Sequence, residues 1–286
     1  KCPRCGGEVA ELQKGFFCQS KECRFAIWKN NKWWTAKKKQ PTKAVVSALA
    51  LLGLSLSDLS AVFVTHEHRD HISALDVMLR RQPLPVHVTA PSAPELCRGR
   101  SAAEHAVIHA GLLYEAQVGD LTVQSFPLPH DSAGHVGYVF ASRDGDRAGV
   151  ATDMGYATMD AYHHLRRCRT VVLEANHDLD MLRTGPYPFS LKQRILSRGG
   201  HLSNTESAQL CCGLADWNTE RIILAHLSRE NNTPERAYAT VRGALEAGGH
   251  ADIALFVAQR DLPGSVDLTS AQQAQPRWDC QGAPAI

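Results

Sequence analysis

The 286-residue chain has no run of eighteen or more apolar residues, so no stretch of it reads as a membrane-spanning helix. Its first residues, KCPRCGG, are basic and cysteine-bearing and lack the apolar segment of an export signal. A cytoplasmic location without membrane attachment is therefore expected. There is no internal repeat, and the nine cysteines lack the spread of an extracellular disulfide framework: four fall in the first 23 residues as two close pairs. Cys97, Cys168, Cys211, Cys212 and Cys280 have no ligand-like spacing and are assigned no role. The chain also begins without Met, as a fragment would.

What is present is ample apolar content, 44% of residues, enough for one large domain and a small one. The net charge of +2 conceals an asymmetry. Residues 1–43 hold eleven Lys/Arg and three Asp/Glu, a net +8, which leaves −6 for the remainder. A basic module joined to an acidic body is expected to meet a polyanion, unless the lysines form only a solvated face. A lysine run ends near Gln40-Pro41-Thr42, where an Ala- and Leu-rich helical pattern begins. The expected organisation is a small module over residues 1–41, a larger body over 42–260 and a loose Pro/Gly/Gln/Ser-rich tail over 261–286.

From Thr42 onward, helix-like segments (43–52, 72–81) alternate with strand-like ones, which predicts an α/β body. Strands are expected at 61–64, 86–88, 121–126, 136–141, 147–151, 170–173, 221–224 and 253–257. Several end directly at His, Asp or Glu, so polar groups can converge on one rim of a rigid sheet. The sharpest such site is THEHRDH (65–71), in which His66, His68, Asp70 and His71 share a turn between a strand and a helix. Imidazoles and carboxylates suit Zn or Mn, and ligands this close on a turn can serve two adjacent ions. His130 in PLPHDS, Asp153 in VATDMG and His226 in LAHLS each follow an apolar strand-like run and are the natural completions. His135 competes with His130 for its role. His87, His105, His109, His163, His164 and His250 are expected on surfaces, with His105 and His109 at i, i+4 on one helix face.

This H-x-H-x-D-H order with its downstream partners resembles the metallo-β-lactamase superfamily. The resemblance implies an αββα sandwich. It further implies that His66, His68 and His130 hold one metal, that Asp70, His71 and His226 hold a second, and that Asp153 bridges them. A hydroxide bridging two divalent metals (Zn or Mn) would then be the nucleophile, with no Ser or Cys required. Such a centre can open a phosphodiester, a lactam, a lactone or a thioester, and the fold does not choose among them.

The segments EANHD, YP with LKQRI, GGHLSN and HLSRENN resemble the YycJ/WalJ-type branch of that superfamily, over roughly residues 43–257. That branch is associated with exonuclease activity, so the resemblance implies a phosphodiesterase acting on DNA ends. His201 is expected as general acid oriented by Glu174; alternatively His201 caps the helix starting near Asn204 and Glu174 holds a backbone amide. Asn176, His177, Ser203, Asn204, Ser228, Asn231 and Asn232 would contact substrate or support the ligands.

At the amino terminus, Cys2 and Cys5, then Cys18 and Cys23, form two cysteine clamps around a twelve-residue hairpin, the spacing of a structural Zn site. The phrase from CPRCGG through GFFCQSKECRFAIWKNNKWWTAKKKQPTKA resembles the carboxy-terminal zinc-finger segments of bacterial type IA topoisomerases, which implies contact with DNA. Phe16, Phe17, Trp28, Trp33 and Trp34 lie among Lys29, Lys32, Lys37, Lys38 and Lys39, a mixture able to stack single-stranded bases and neutralise phosphates; the aromatics could equally form the ribbon's own small core. The metallo-hydrolase branch normally opens with strands where this chain has the ribbon, so part of one sheet is expected to be missing. Two rivals to the DNA exonuclease remain: an RNA or small-ester hydrolase of the same fold, and a catalytically inactive DNA-binding fusion.

Overall fold

The structure, a computed structural model, describes residues 9–12, 15–18, 26–28, 49–50, 52–98 and 101–258. The expected tail lies outside these residues. Strands β1 (Val9–Leu12), β2 (Gly15–Cys18) and β3 (Ala26–Trp28) form an antiparallel sheet in that order. Cys18 and Trp28 thus fall in strands, whereas Cys2, Cys5, Cys23, Trp33, Trp34, Lys37, Lys38 and Lys39 lie outside the described residues.

The body is a four-layer αββα sandwich. Its first sheet is parallel, β4 (Val62–Phe63), β5 (Val86–Thr89) and β6 (Ala106–His109). Three strands are its whole extent among the described residues. Against it pack α1 (Arg69–Ile72), α2 (Leu75–Arg81) and α3 (Ala93–Cys97), burying Ile72, Leu75, Leu79, Val86, Val88 and Leu96. The second sheet begins as an antiparallel meander of β7 (Glu115–Val118), β8 (Leu121–Pro127), β9 (Val136–Ser142) and β10 (Arg147–Ala151). It continues through parallel strands β11 (Thr170–Glu174), β12 (Arg221–Ala225) and β13 (Ala254–Val257). Parallel strands are covered on both faces, which explains the near-continuous apolar runs TVVL, IILA and ALFV.

Further helices are α4 (Met159–Leu165), α5 (Leu179–Thr184), α6 (Phe189–Ile195), α7 (Asn204–Ala215) and α8 (Pro234–Ala247), of which α4, α7 and α8 cover the outer face of this sheet. Leu165, Leu214, Val241 and Leu245 pack there on Leu173, Ile222 and Leu224 in the main core. Each of four helix starts has a residue suited to bind its free N–H groups. Thr158, Asp178 and Thr233 cap α4, α5 and α8, and Ser203 forms a capping box with Glu206 on α7.

Between the sheets, Phe63 lies edge-on to Tyr138 and Phe140. Tyr138 Oη donates to the Val64 carbonyl at 2.7 Å, and the Val136 N–H donates to the Thr65 carbonyl at 3.0 Å. These bonds fasten the end of β4, where THEHRDH begins, to the start of β9.

Two expectations fail here. His105 and His109 share no helix, because residues 106–109 are β6: its AVIH run is short and bounded by turns, which favours a strand over the longer periodic pattern a helix needs. His87 is not on the surface; it is buried on β5, stacked on Phe63, with Nδ1 3.0 Å from His109 Nε2. Strands β6 and β7 were also not evident in the sequence pattern. No helix among the described residues is long and apolar enough to cross a membrane.

Candidate metal centre

The loops that leave β4, β8, β10 and β12 carry the titratable side chains to one rim. THEHRDH follows β4, and α1 opens within it, at Arg69. Glu67 points away from the other members: its Oε1 accepts the Ala133 N–H at 2.8 Å and its Oε2 the Ser92 hydroxyl at 2.7 Å. The loop bearing His130 is thereby tied to the loop bearing His66 and His68, a role the sequence reading missed.

The ligating atoms of His66, His68 and His130 lie within 4.8 Å of one another, as do those of Asp70, His71 and His226. Asp153 stands between the two groups. Its Oδ2 is 3.4 Å from His71 Nε2, and its Oδ1 is 3.4 Å from His226 Nε2 and 4.0 Å from His130 Nε2. The structure therefore brings together all seven residues expected to hold metal. His135 packs against His66 and His130, with Nε2 donating to the Thr152 carbonyl at 2.8 Å. That bond holds the chain next to Asp153 and leaves the His68-facing position to His130, whose Nε2 is 3.3 Å from His68 Nδ1.

The donor set fits divalent cations. His66 Nε2 and Asp153 Oδ2 are buried with no hydrogen-bond partner, an arrangement that costs free energy unless something satisfies them. Burial, and then the imidazoles of His135, His71, His68 and His130, push the His66 pKa far below its usual value, which keeps the ring neutral as a ligand must be. At His226 burial opposes protonation, yet the Glu174 hydrogen bond and the Asp153 charge raise its pKa to about 9.

Asp153 and His226 have φ of 61° and 58°, and they are the non-glycine residues with positive φ among those described. Side chains rarely adopt this region unless the surroundings impose it, and Asp and His are among the types that do so most readily. At His226 the surroundings are identifiable: Asn176 Nδ2 donates to its carbonyl at 3.0 Å, and the Ser228 N–H donates to the Asn176 carbonyl at 2.7 Å.

Glu174, at the end of β11, is wholly buried. Its Oε1 accepts from His201 Nδ1 at 2.8 Å and His226 Nδ1 at 2.9 Å; its Oε2 accepts the backbone N–H groups of Met154 at 2.8 Å and Leu202 at 3.1 Å. Burial would raise its pKa, but the two histidine bonds hold it well below the usual carboxylate range. The carboxylate therefore both orients His201 and holds backbone amides, and α7 is capped by Ser203 instead of His201.

The supporting residues divide by contact. Asn204 and Asn232 form a reciprocal buried amide pair at 2.8 and 3.0 Å, and Asn232 Nδ2 also donates to the Ala175 carbonyl at 2.8 Å. Ser228 Oγ accepts the Asn231 N–H at 3.2 Å, and Ser203 is spent on Glu206. These groups brace the loops around His226 and His201. Crowding explains two glycines near the cluster: a Cβ at Gly200 of GGHLSN would lie 2.0 Å from the Ile195 carbonyl oxygen, and one at Gly155, two residues after Asp153, 2.0 Å from that of Arg198.

Asp70, His201 and His226 open onto a cleft of about 930 Å³, also lined by Asp131, Tyr187, Leu191, Arg194, Ser228, Arg229 and Asn232. Asp131 and Arg194 were not anticipated from the sequence, because their pairing depends on the approach of α6 to the 128–135 loop.

A four-layer sandwich whose rim gathers such a His/Asp cluster defines a metallo-β-lactamase-fold hydrolase. The profile of the beta-lactamase superfamily domain matches residues 39–227, and the chain belongs to that superfamily. It is 35% identical over 209 residues to exodeoxyribonuclease YycJ of Bacillus anthracis, a match spanning 72% of this chain and 78% of the relative. It is 32% identical over 241 residues to exodeoxyribonuclease WalJ of Streptococcus pneumoniae serotype 2, spanning 82% and 85%. Among solved structures, the metallo-beta-lactamase fold protein YhfI from Bacillus subtilis superposes with a TM-score of 0.55 at 14% identity, covering 89% of this chain and 92% of that one. Zn-bound PqqB from Methylobacterium extorquens superposes with a TM-score of 0.51 at 20% identity, covering 70% and 71%. These two likenesses concern the fold.

Proposed function

We propose that the protein is a metal-dependent phosphodiesterase that trims DNA ends as an exonuclease. The observation that carries this reading is the pair of three-ligand groups flanking Asp153 at the end of an open cleft. The preference for DNA is supported by relatives named exodeoxyribonuclease. His66, His68 and His130 would hold one divalent cation, Asp70, His71 and His226 a second, and Asp153 both, with Zn or Mn suited to the donors. Bound in this way, two such ions would supply Lewis acidity that lowers the pKa of water and offsets phosphate charge.

The chain's own residues do the rest. Glu174 accepts the Nδ1 proton of His201, which leaves Nε2 as the atom to hand a proton to the departing oxygen. Asn176 and the Asn204–Asn232 pair hold the backbone that presents His226 and His201. The amino-terminal segment, with Cys2, Cys5, Cys18 and Cys23 around a structural Zn, would deliver nucleic acid in the cytoplasm through Trp28, Trp33, Trp34, Lys37, Lys38 and Lys39; its net +8 charge supports that role.

The test is degradation of end-labelled single- and double-stranded DNA with Zn or Mn, with chelator, and with Asp70→Ala or His68→Ala. Metal-dependent loss of terminal nucleotides that either substitution abolishes is expected, and cleavage indifferent to metal or mutation would refute the reading. Metal content measured on the same preparation should approach three ions per chain on the order set by two catalytic sites and one structural site.

A further inference from the structure

Arg194 and Asp131 meet at the metal end of the cleft but belong to none of the groups described so far. Arg194 comes from α6 and Asp131 from the loop that carries His130. The guanidinium holds the carboxylate in a fork, Nε to Oδ2 and Nη2 to Oδ1, the latter at 3.0 Å. Asp131 is itself fixed: its N–H donates to the Gly199 carbonyl at 3.0 Å, and its Oδ1 lies 3.4 Å from His130 Nε2. Arg194 is also near enough to Asp70 to be influenced by its charge. The segment that follows α6 cannot drift, because Gly200 packs directly on the Arg194 and Ile195 carbonyls.

An ion pair this exposed, with 54% of the Arg194 side chain and 36% of the Asp131 side chain accessible, contributes little stability. Its geometry has a different consequence. A guanidinium carries five N–H donors, and the fork consumes two. The remaining donors have no partner among the described residues, and the side chain lines the cleft beside Asp70. Asp131 thus restrains the guanidinium without using it up, and a planar cation with spare donors suits a phosphate oxygen pair better than a neutral carbonyl. The lactam, lactone and ester groups themselves are neutral and offer no anionic oxygen pair at the reacting centre for it to meet.

We infer that Arg194 is a phosphate-binding residue that biases this centre toward phosphodiesters over neutral substrates, with Asp131 as its positioning residue. The inference rests on the proposed phosphodiesterase reading for its reaction, but its binding step is testable separately.

The experiment is calorimetric titration of inorganic phosphate into the metal-loaded protein, alongside steady-state kinetics on a labelled oligonucleotide, for wild type, Arg194→Gln, Arg194→Lys and Asp131→Asn. Arg194→Gln should weaken phosphate at least about tenfold, with metal content and Tm unchanged, and should raise KM for the oligonucleotide by about the same factor with a smaller change in kcat. Arg194→Lys should recover part of the loss, as a point charge without the fork. Asp131→Asn should weaken binding by a smaller factor. Phosphate binding equal to wild type in Arg194→Gln, no phosphate binding by wild type, or weakening that only follows metal loss would each overturn the assignment. Phosphate held through Arg194 in a protein that leaves DNA intact would uphold it and sink the DNA reading instead.

Discussion

Replacing Glu174 by glutamine tests whether one carboxylate organises both the proposed acid, His201, and a proposed metal ligand, His226. The substitution changes shape hardly at all and turns one acceptor oxygen into an NH2 donor. Because Oε1 faces two histidine N–H groups and Oε2 faces two backbone N–H groups, either orientation of the amide sets donors against donors at two of four bonds. The surviving pair also loses its charge assistance. Breaking a buried charged network in this way costs about 3–5 kcal/mol, which for a domain of this size corresponds to a fall in Tm of roughly 10 °C. Loosened His226 should bind metal about 10–100-fold more weakly. Thermal unfolding followed by circular dichroism, with and without chelator, gives the first quantity, and metal titration gives the second. If Glu174→Gln melts with the wild type and retains metal and activity, the central role of this carboxylate is wrong.

Three further outcomes follow from particular contacts. In chelator, Asp153→Ala should be less stable than Asp153→Asn by about 1–2 kcal/mol in urea unfolding, since Asn tolerates the positive φ and Ala does not; equal stability would show that the backbone there is unstrained. His177 is buried with neither ring nitrogen hydrogen-bonded, and burial lowers its pKa to about 4. Its unfolded counterpart titrates near 6.5, so titration of the ring does not change stability well above that pH. As pH falls from 6.5 through 4, the unfolded chain takes a proton that the native chain refuses, at a cost of up to about 3 kcal/mol; His177→Leu should flatten the fall in urea midpoint over this window, and an unchanged slope would exclude the ring as its source. Gly200→Ala, whose Cβ would meet the Ile195 carbonyl at 2.0 Å, should destabilise by about 3–5 kcal/mol and disrupt phosphate binding through Arg194, and a wild-type melt would contradict the packing.

The His/Asp cluster was legible because its residues are polar interruptions at the ends of apolar strands, a pattern that survives in one dimension. His66, His68, Asp70 and His71 share a turn, and His130, Asp153 and His226 each follow a strand the sequence also outlines. The choice between His130 and His135 was less accessible: both lie in the loop between β8 and β9, and they differ in contacts the sequence does not encode, His135 Nε2 bonding the Thr152 carbonyl and His130 Nε2 facing His68. Glu67 and the Arg194–Asp131 pair escaped notice because their partners are distant in sequence, and no periodicity encodes such a contact. His87 misled for the opposite reason. An isolated histidine reads as a surface residue until Phe63 and His109 are brought over it by parallel pairing of β4, β5 and β6. The Asn204–Asn232 pair could be picked out as important, but that its role is bracing follows from the reciprocal amide bonds alone.

The left-handed backbone at Asp153 and His226 also limits how this centre can be re-engineered. Changing a metal preference usually means exchanging ligand types, for instance thiolate for softer ions or a longer carboxylate for larger ones. At these two positions the main chain selects first: residues that do not readily occupy positive φ are penalised by about 1–2 kcal/mol before their donor atoms matter. Attempts to retune the centre therefore meet no such backbone penalty at His66, His68, Asp70, His71 and His130, where φ is not positive.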